Sequence, residues 1–327
     1  MHNKIKIGII GGAGYTGGEL IRLLLIHPNA DIQFIHSKSN AGNPVYHVHQ
    51  DLIGSTELTF SADINQDIDL LFLCLGHGES TKFLTQHQLN PSIRIIDLAN
   101  DFRITNQSTQ GERNFIYGLP ELGKELIKNA NNIANPGCFA TAIQLGLLPL
   151  AKSGELNEVY TTGITGSTGA GQSLSTTSHF SWRANNIQAY KTLTHQHIAE
   201  IHQSIRGLQG NNIPAVHFVP WRGDFTRGIF VSSTLSTTLS VEKLNELYKA
   251  YYADHPFTIV SEKPIALKQV VNTNKCVIHI EKENDKVVIH SAIDNLLKGA
   301  SGQAVQNMNL MFGLEEINGL HLKASGF

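Results

Sequence analysis

The chain reads as an α/β protein: a Rossmann-type, doubly wound parallel sheet, followed by an α+β domain with a mostly antiparallel sheet. Three observations carry this expectation. A glycine loop joins a short apolar strand to a helix at the start of the chain. Strands and helices then alternate as far as residue 148. Beyond that the strands lengthen and several alternate apolar with polar residues.

In order, residues 5–10 form an apolar strand and Gly11-Gly12-Ala13-Gly14-Tyr15-Thr16-Gly17 the loop after it. Residues 19–25 read as a helix, ended by His27-Pro28-Asn29. Strands follow over 32–36, 69–75 and 93–97, with a helix over 80–88. The run 69–75 is almost wholly apolar, as a strand buried on both faces of a parallel sheet requires. After the helix that begins at Cys138, residues 159–164, 216–219, 229–239, 276–281 and 286–293 read as strands. Residues 241–253 put Val241, Leu244, Leu247 and Tyr248 on one helical stripe, and 301–312 form a last helix. The Gly/Ser/Thr-rich stretch 161–178 is expected to be an ordered loop. The expected division is a nucleotide-binding domain over 1–148, completed by a C-terminal helix within 300–327, and an α+β domain over 149–299.

Composition narrows the class. A chain of 327 residues suggests two domains. With 41% hydrophobic and 16% charged residues and a formal net charge of -2, nothing points to nucleic acid or an anionic membrane. Three cysteines are too few and too odd for a disulfide framework. No stretch spans a bilayer, and the N-terminal apolar run meets glycine too early for a signal peptide. The expectation is a soluble cytoplasmic protein.

The chemistry centres on Asn135-Pro136-Gly137-Cys138-Phe139-Ala140-Thr141. Cys138 sits where a loop becomes a helix, and a helix start favours thiolate. Gly137 permits close approach of another group. The glycine loop, with Gly11, Gly14 and Gly17, follows a strand and opens a helix, where a pyrophosphate would meet unpaired N–H groups. The second strand ends without an acid, in Ser37 and Lys38, which suits the 2'-phosphate of NADP over the free ribose of NAD. His197 and Glu200 share a helical face in the cluster around His195 and His202; an exposed polar helix competes with this, and a metal site is the weaker alternative. Arg103 follows a strand's carboxyl end, either as an anion clamp or as a partner of Asp101 or Asp97.

Together these motifs resemble the N-acetyl-gamma-glutamyl-phosphate reductases of the semialdehyde dehydrogenase superfamily. The resemblance extends to Gly146-Leu147-Leu148-Pro149, to Arg227-Gly228-Ile229 and to the run from Ala292 to Asn309. It implies reduction of an acyl phosphate by NADPH in arginine biosynthesis, with Cys138 as nucleophile and His197 as acid/base. It further implies Arg103, Asn135 and Glu200 at the substrate. Tyr15, Thr16, Gly169 and Asn307 join the glycines, Ser37 and Lys38 at the cofactor. No metal is implied, and a homodimer or homotetramer is. The loop 161–172, the turn Leu75-Gly76-His77-Gly78 and the insertion Trp221–Phe225 depart from relatives, so the acyl group is open between acetyl and succinyl. Aspartate-semialdehyde dehydrogenase and a non-catalytic NADP-binding sensor are the rival readings.

Overall fold

The computed structural model describes residues 4–210 and 213–326. The chain forms two compact units: the first is the chain to Pro136 with Ala300–His321, the second is Gly137–Gly299 with the residues from Leu322 onward.

The first unit contains β1 (Ile5–Ile10), α1 (Tyr15–Leu25), β2 (Ala30–His36), β3 (Phe60–Ser61), β4 (Leu70–Leu73), α2 (Glu79–Gln86), β5 (Arg94–Asp97), β6 (Ile116–Tyr117), α3 (Pro120–Lys128) and β7 (Asn132–Ala134). They build a seven-stranded sheet in the order β3-β2-β1-β4-β5-β7-β6, with every pairing parallel. β4 is buried along its whole length, as its unbroken apolar run requires. The short strands β6 and β7 escape the sequence reading, because so few residues carry no periodicity. The last helix, Gly302–Met311, packs on α1 and α3 in this unit. All its residues are buried, including Gln303, Gln306, Asn307 and Asn309. Several of its polar groups are paired, as in the His27 Nε2–Asn309 Oδ1 bond of 2.9 Å.

Helix α1 starts at Tyr15, earlier than residue 19. Gly17 and Gly18 are poor helix formers, so propensity sets the start back. Close packing overrides it. A Cβ on Gly17 would lie 2.8 Å from the Gly11 carbonyl oxygen, and one on Gly18 would meet the His49 ring.

The second unit contains α4 (Cys138–Ser153), β8 (Val159–Thr165), β9 (Gln188–Ala189), α5 (His197–Gln209), β10 (Val216–Arg222), β11 (Ile229–Ser236), α6 (Val241–Tyr251), β12 (Thr258–Ser261), β13 (Cys276–Glu283) and β14 (Lys286–Ile293). Its sheet runs β9-β10-β8-β11-β14-β13-β12, with four of six pairings antiparallel. β11 alternates buried and half-buried residues along its length, as a sheet with one covered face demands.

Helix α4 packs on α5, α6, β11 and β14, so the division of the chain falls before Cys138 and not at 148. The residues from Leu322 onward also group with this second unit, where Ser325 N–H donates to the Val271 carbonyl at 3.3 Å. Pro149 lies inside α4 and has no N–H for the carbonyl of Leu145. The Tyr252 hydroxyl donates to that carbonyl instead, and the Tyr248 hydroxyl donates to the next, Gly146, at 2.6 Å. Both tyrosines are buried on or just beyond α6, so two aromatic side chains repair the interrupted ladder.

Tyr252→Phe removes the hydroxyl that serves the Leu145 carbonyl and leaves that buried carbonyl short of a partner. Its unfolding free energy in urea is expected to fall by about 1–3 kcal/mol, with an unchanged slope.

Candidate active site

Gly137 is the N-cap of α4, in extended conformation with φ -72° and ψ 150°, and Cys138 is the first helical residue. Cys138 is partly exposed and forms no disulfide. Cys74 and Cys276 are buried in strands or at their ends, and burial pushes the Cys74 thiol up to about 12. The first turn of α4 carries no acidic residue. One arrives from α5: the Gly137 N–H donates to Glu200 Oε2 at 3.0 Å. The other oxygen, Oε1, lies 3.9 Å from His197 Nε2. Both side chains are buried.

The need for glycine at 137 is steric. A Cβ there would stand 2.6 Å from Cε1 and 2.7 Å from Cδ2 of the His197 ring. The group that comes close to this backbone is therefore His197 itself. The structure brings Gly137, Cys138, His197 and Glu200 together in one unit, from the starts of two helices.

His195 supports the arrangement. Its Nδ1 accepts the backbone N–H of His197 at 3.2 Å, and its ring meets Phe139, Phe218 and Tyr190 edge-on. Burial, helped by the nearby Lys191 charge, pushes its pKa down to about 4. The ring is thus neutral at pH 7, with its proton on Nε2 because Nδ1 is an acceptor. Among the described residues no group of three or more His, Cys, Asp or Glu side chains could hold a metal ion.

On its other side Cys138 abuts Gly299. A Cβ at 299 would lie 2.7 Å from the Cys138 Cβ. Gly299 belongs to a π-helical turn, Leu297–Ser301, that follows the buried Asp294. Asp294 accepts from Arg227 Nε and Nη2, both at 3.1 Å. The sequence marks both segments without pairing them, since 67 residues separate them in the chain.

In the first unit Gly11 has φ +79°, and the N–H groups of Gly11 and Gly12 both donate to the His36 carbonyl at 3.2 Å. Gly14 caps α1 without a side-chain bond, and no acid lies in the first turn. His49 Nε2–H donates to the Gly12 carbonyl at 2.7 Å, which gives this histidine a packing role that its sequence hid. Tyr15, Thr16 and Gly17 form the first turn of α1. Ser37 and Lys38 lie just beyond the carboxyl end of β2; Ser37 is buried and its hydroxyl accepts from Asn40 at 3.0 Å, while Lys38 is exposed. An uncapped helix start behind a glycine cradle, on this strand order, fits a dinucleotide.

Arg103 is buried rather than on the surface. Its Nε donates to the Asn135 carbonyl and its Nη2 to that of Leu98, each at 2.8 Å. Asp101 instead accepts from Gly78 N–H at 2.8 Å and from Thr81. Asn307 Nδ2 donates to the Gly118 carbonyl at 2.9 Å and to Asn135 Oδ1 at 3.1 Å. Asn135 in turn donates to the Ala300 carbonyl at 3.1 Å. Gly169 lies in the second unit, in the turn Ser167–Ala170 after β8.

Residues 6–130 match the family model of the semialdehyde dehydrogenase NAD binding domain, and residues 138–295 match that of the semialdehyde dehydrogenase dimerisation domain. The fold is shared with aspartate semialdehyde dehydrogenase II of Vibrio cholerae: TM-score 0.73, 15% identity, 95% of this chain and 99% of that one. It is shared also with the Candida albicans aspartate semialdehyde dehydrogenase solved with NADP, at TM-score 0.70, 14% identity, and coverage of 95% and 99%. Fold and matched domains define an oxidoreductase of the semialdehyde dehydrogenase class. Within it, the chain is 56% identical to the N-acetyl-gamma-glutamyl-phosphate reductase of Parabacteroides distasonis and 53% identical to that of Christiangramia forsetii, each over 99% of this chain and 100% of the relative. The chain belongs to the N-acetyl-gamma-glutamyl-phosphate reductase family.

Gly137→Ala is expected to fold but to push the His197 ring away from Cys138, with turnover falling about a hundredfold; steady-state rates beside a urea curve check this. His195 contributes pH-dependent stability. Its folded pKa of about 4 lies below the ordinary 6.5, so the contribution is full above pH 6.5 and is lost as pH falls from there through about 4. Urea midpoints should decline over that window, and His195→Asn, which keeps an acceptor, should decline less.

Proposed function

We propose that the chain reduces N-acetyl-gamma-glutamyl phosphate with NADPH to N-acetylglutamate 5-semialdehyde and inorganic phosphate, a step in arginine biosynthesis. One observation carries the reading. A cysteine at the first position of α4 stands beside a His–Glu pair, in a chain 56% identical to a reductase of that name.

The thiolate of Cys138 attacks the acyl carbon. The carbon–oxygen bond to phosphate breaks, phosphate leaves, and a thioester remains on Cys138. NADPH, when bound, supplies the hydride that reduces this thioester. His197 gives its proton to the developing oxyanion, which forms a thiohemiacetal on Cys138. It takes the proton back as the carbon–sulfur bond breaks and the aldehyde departs. Glu200 orients His197 and, with Arg103 and Asn135, is assigned to the substrate side. The glycine loop, Tyr15 and Thr16 are assigned to the pyrophosphate, Ser37 and Lys38 to the 2'-phosphate, Asn307 to the nicotinamide, and Gly169 to the cofactor. We assign nucleotide binding to the first unit, and chemistry and self-association as a homo-oligomer to the second. Among the described residues no helix is long and apolar enough to cross a membrane.

The test is the reverse reaction: phosphate-dependent reduction of NADP by N-acetylglutamate semialdehyde, beside its N-succinyl analogue and aspartate semialdehyde. Turnover confined to the N-acetyl compound is expected. Preference for either competitor overturns the substrate assignment. Cys138→Ser should bind NADPH normally and turn over negligibly. His197→Asn should lose about a hundred- to ten-thousandfold in rate. Near-normal turnover in either variant removes that residue from the mechanism.

A further inference from the structure

We infer that Asp294, clamped by Arg227, is a positioning residue for the Cys138 nucleophile, acting through the π-helical turn that carries Gly299. The inference rests on the reading of Cys138 given above.

Asp294 is fully buried at the end of β14, and its carboxylate is saturated with donors. Oδ1 accepts from the N–H groups of Leu296 and Leu297, at 2.8 and 3.0 Å, and from Arg227 Nη2. Oδ2 accepts from Asn272 N–H at 2.7 Å and from Arg227 Nε. Its backbone carbonyl accepts the N–H of Gly299 at 2.9 Å. One residue thus closes the turn at both its start and its middle.

The neighbouring Asn295 ties the same turn to the residue before β11 and to the turn after β8. Its Oδ1 accepts the Gly228 N–H at 2.6 Å, and its Nδ2 donates to Thr168 Oγ1 at 3.0 Å. The chain then enters the π-helical turn Leu297–Ser301. Such widened turns cost hydrogen-bond geometry and occur mostly where a site needs a displaced backbone. Here the displaced backbone is Gly299, whose Cα packs against Cys138: an added Cβ would come within 2.7 Å of the Cys138 Cβ and 3.2 Å of its Cα. His197 lies against Gly137, on the residue before the nucleophile. Cys138 is therefore held between two glycine contacts. The ring in front is set by α5, and the turn behind is set by Asp294.

A buried carboxylate held by a bidentate guanidinium and three backbone N–H groups has little freedom to move. Loss of its charge releases the Arg227 fork while leaving an isosteric side chain. The turn then relaxes, and the Cys138 side chain is no longer confined to one rotamer.

The experiment compares Asp294→Asn, Arg227→Lys and Gly299→Ala with the unmodified enzyme. Four quantities are measured: the iodoacetamide alkylation rate of the Cys138 peptide across pH, kcat, KM and NADPH affinity. For Asp294→Asn we expect unchanged NADPH affinity, KM within about threefold, and kcat and Cys138 alkylation both lower by about ten- to a hundredfold. Gly299→Ala should reproduce the loss, and Arg227→Lys should show a smaller one. Cys138 alkylation and kcat like those of the unmodified enzyme in Asp294→Asn overturn the inference. Simultaneous alkylation of the buried Cys74 and Cys276 marks a variant that has not folded. If Asp294→Asn does not fold, Gly299→Ala decides by the same readouts. Alkylation assumes no substrate, so a failure of the proposed reaction leaves a distinct signature: normal Cys138 reactivity without turnover.

Discussion

The carboxylate of Glu200 is shared between two helix starts, and the geometry of the second unit's site depends on it. Helix α4 begins without an acid or a side-chain cap of its own. Glu200, one turn into α5, takes the Gly137 N–H and so completes that start from outside the helix. A hydrogen bond to a charged acceptor contributes roughly 1.5–3 kcal/mol, against about 0.3–1 kcal/mol for a charge near a helix end. The directed bond therefore fixes the position, and the dipole reinforces it. Because Glu200 and His197 lie on the same face of α5, placing one places the other.

Polar groups elsewhere in the interior follow the same logic of specific satisfaction. Pro149 would leave a carbonyl of α4 without a donor, and tyrosines from α6 and its C-cap supply hydroxyls. The last helix buries four amide side chains, and partners such as Gly118, Asn135 and His27 hold two of them. Asp97, at the carboxyl end of β5, shows the cost. Burial raises its pKa to about 7, while the Ser80 hydroxyl donating at 2.6 Å pulls the other way. Desolvation wins because this bond and a second, from the Ala99 N–H, offset only part of the hydration a buried carboxylate loses.

Much of this was legible in residue order. The alternation of apolar strands and helices announced the parallel sheet, and the glycine loop announced a helix after β1, although α1 starts at Tyr15 and not at residue 19. Cys138 stood out because an Asn-Pro-Gly approach followed by an apolar run marks a helix start. Arg103 was harder: its sequence allowed an ion pair, while the structure spends two of its donors on backbone carbonyls. Nothing in the sequence around His49 marks it as a support for Gly12, and only folding reveals that role. Strands of two or three residues, such as β6 and β7, leave no period to detect.

By itself, then, the sequence determined what is local: period, turn chemistry, and the helix start that carries the cysteine. Those properties arise from neighbours within one turn or one strand pair. The tertiary structure alone decided that α4 groups with the second sheet, that the group filling the space beside Gly137 is the His197 ring, and that Asp294 meets Arg227 across two strands. Each is a contact between residues far apart in the chain. Such a contact depends on how buried faces and buried charges find partners in three dimensions, and no local pattern encodes that choice.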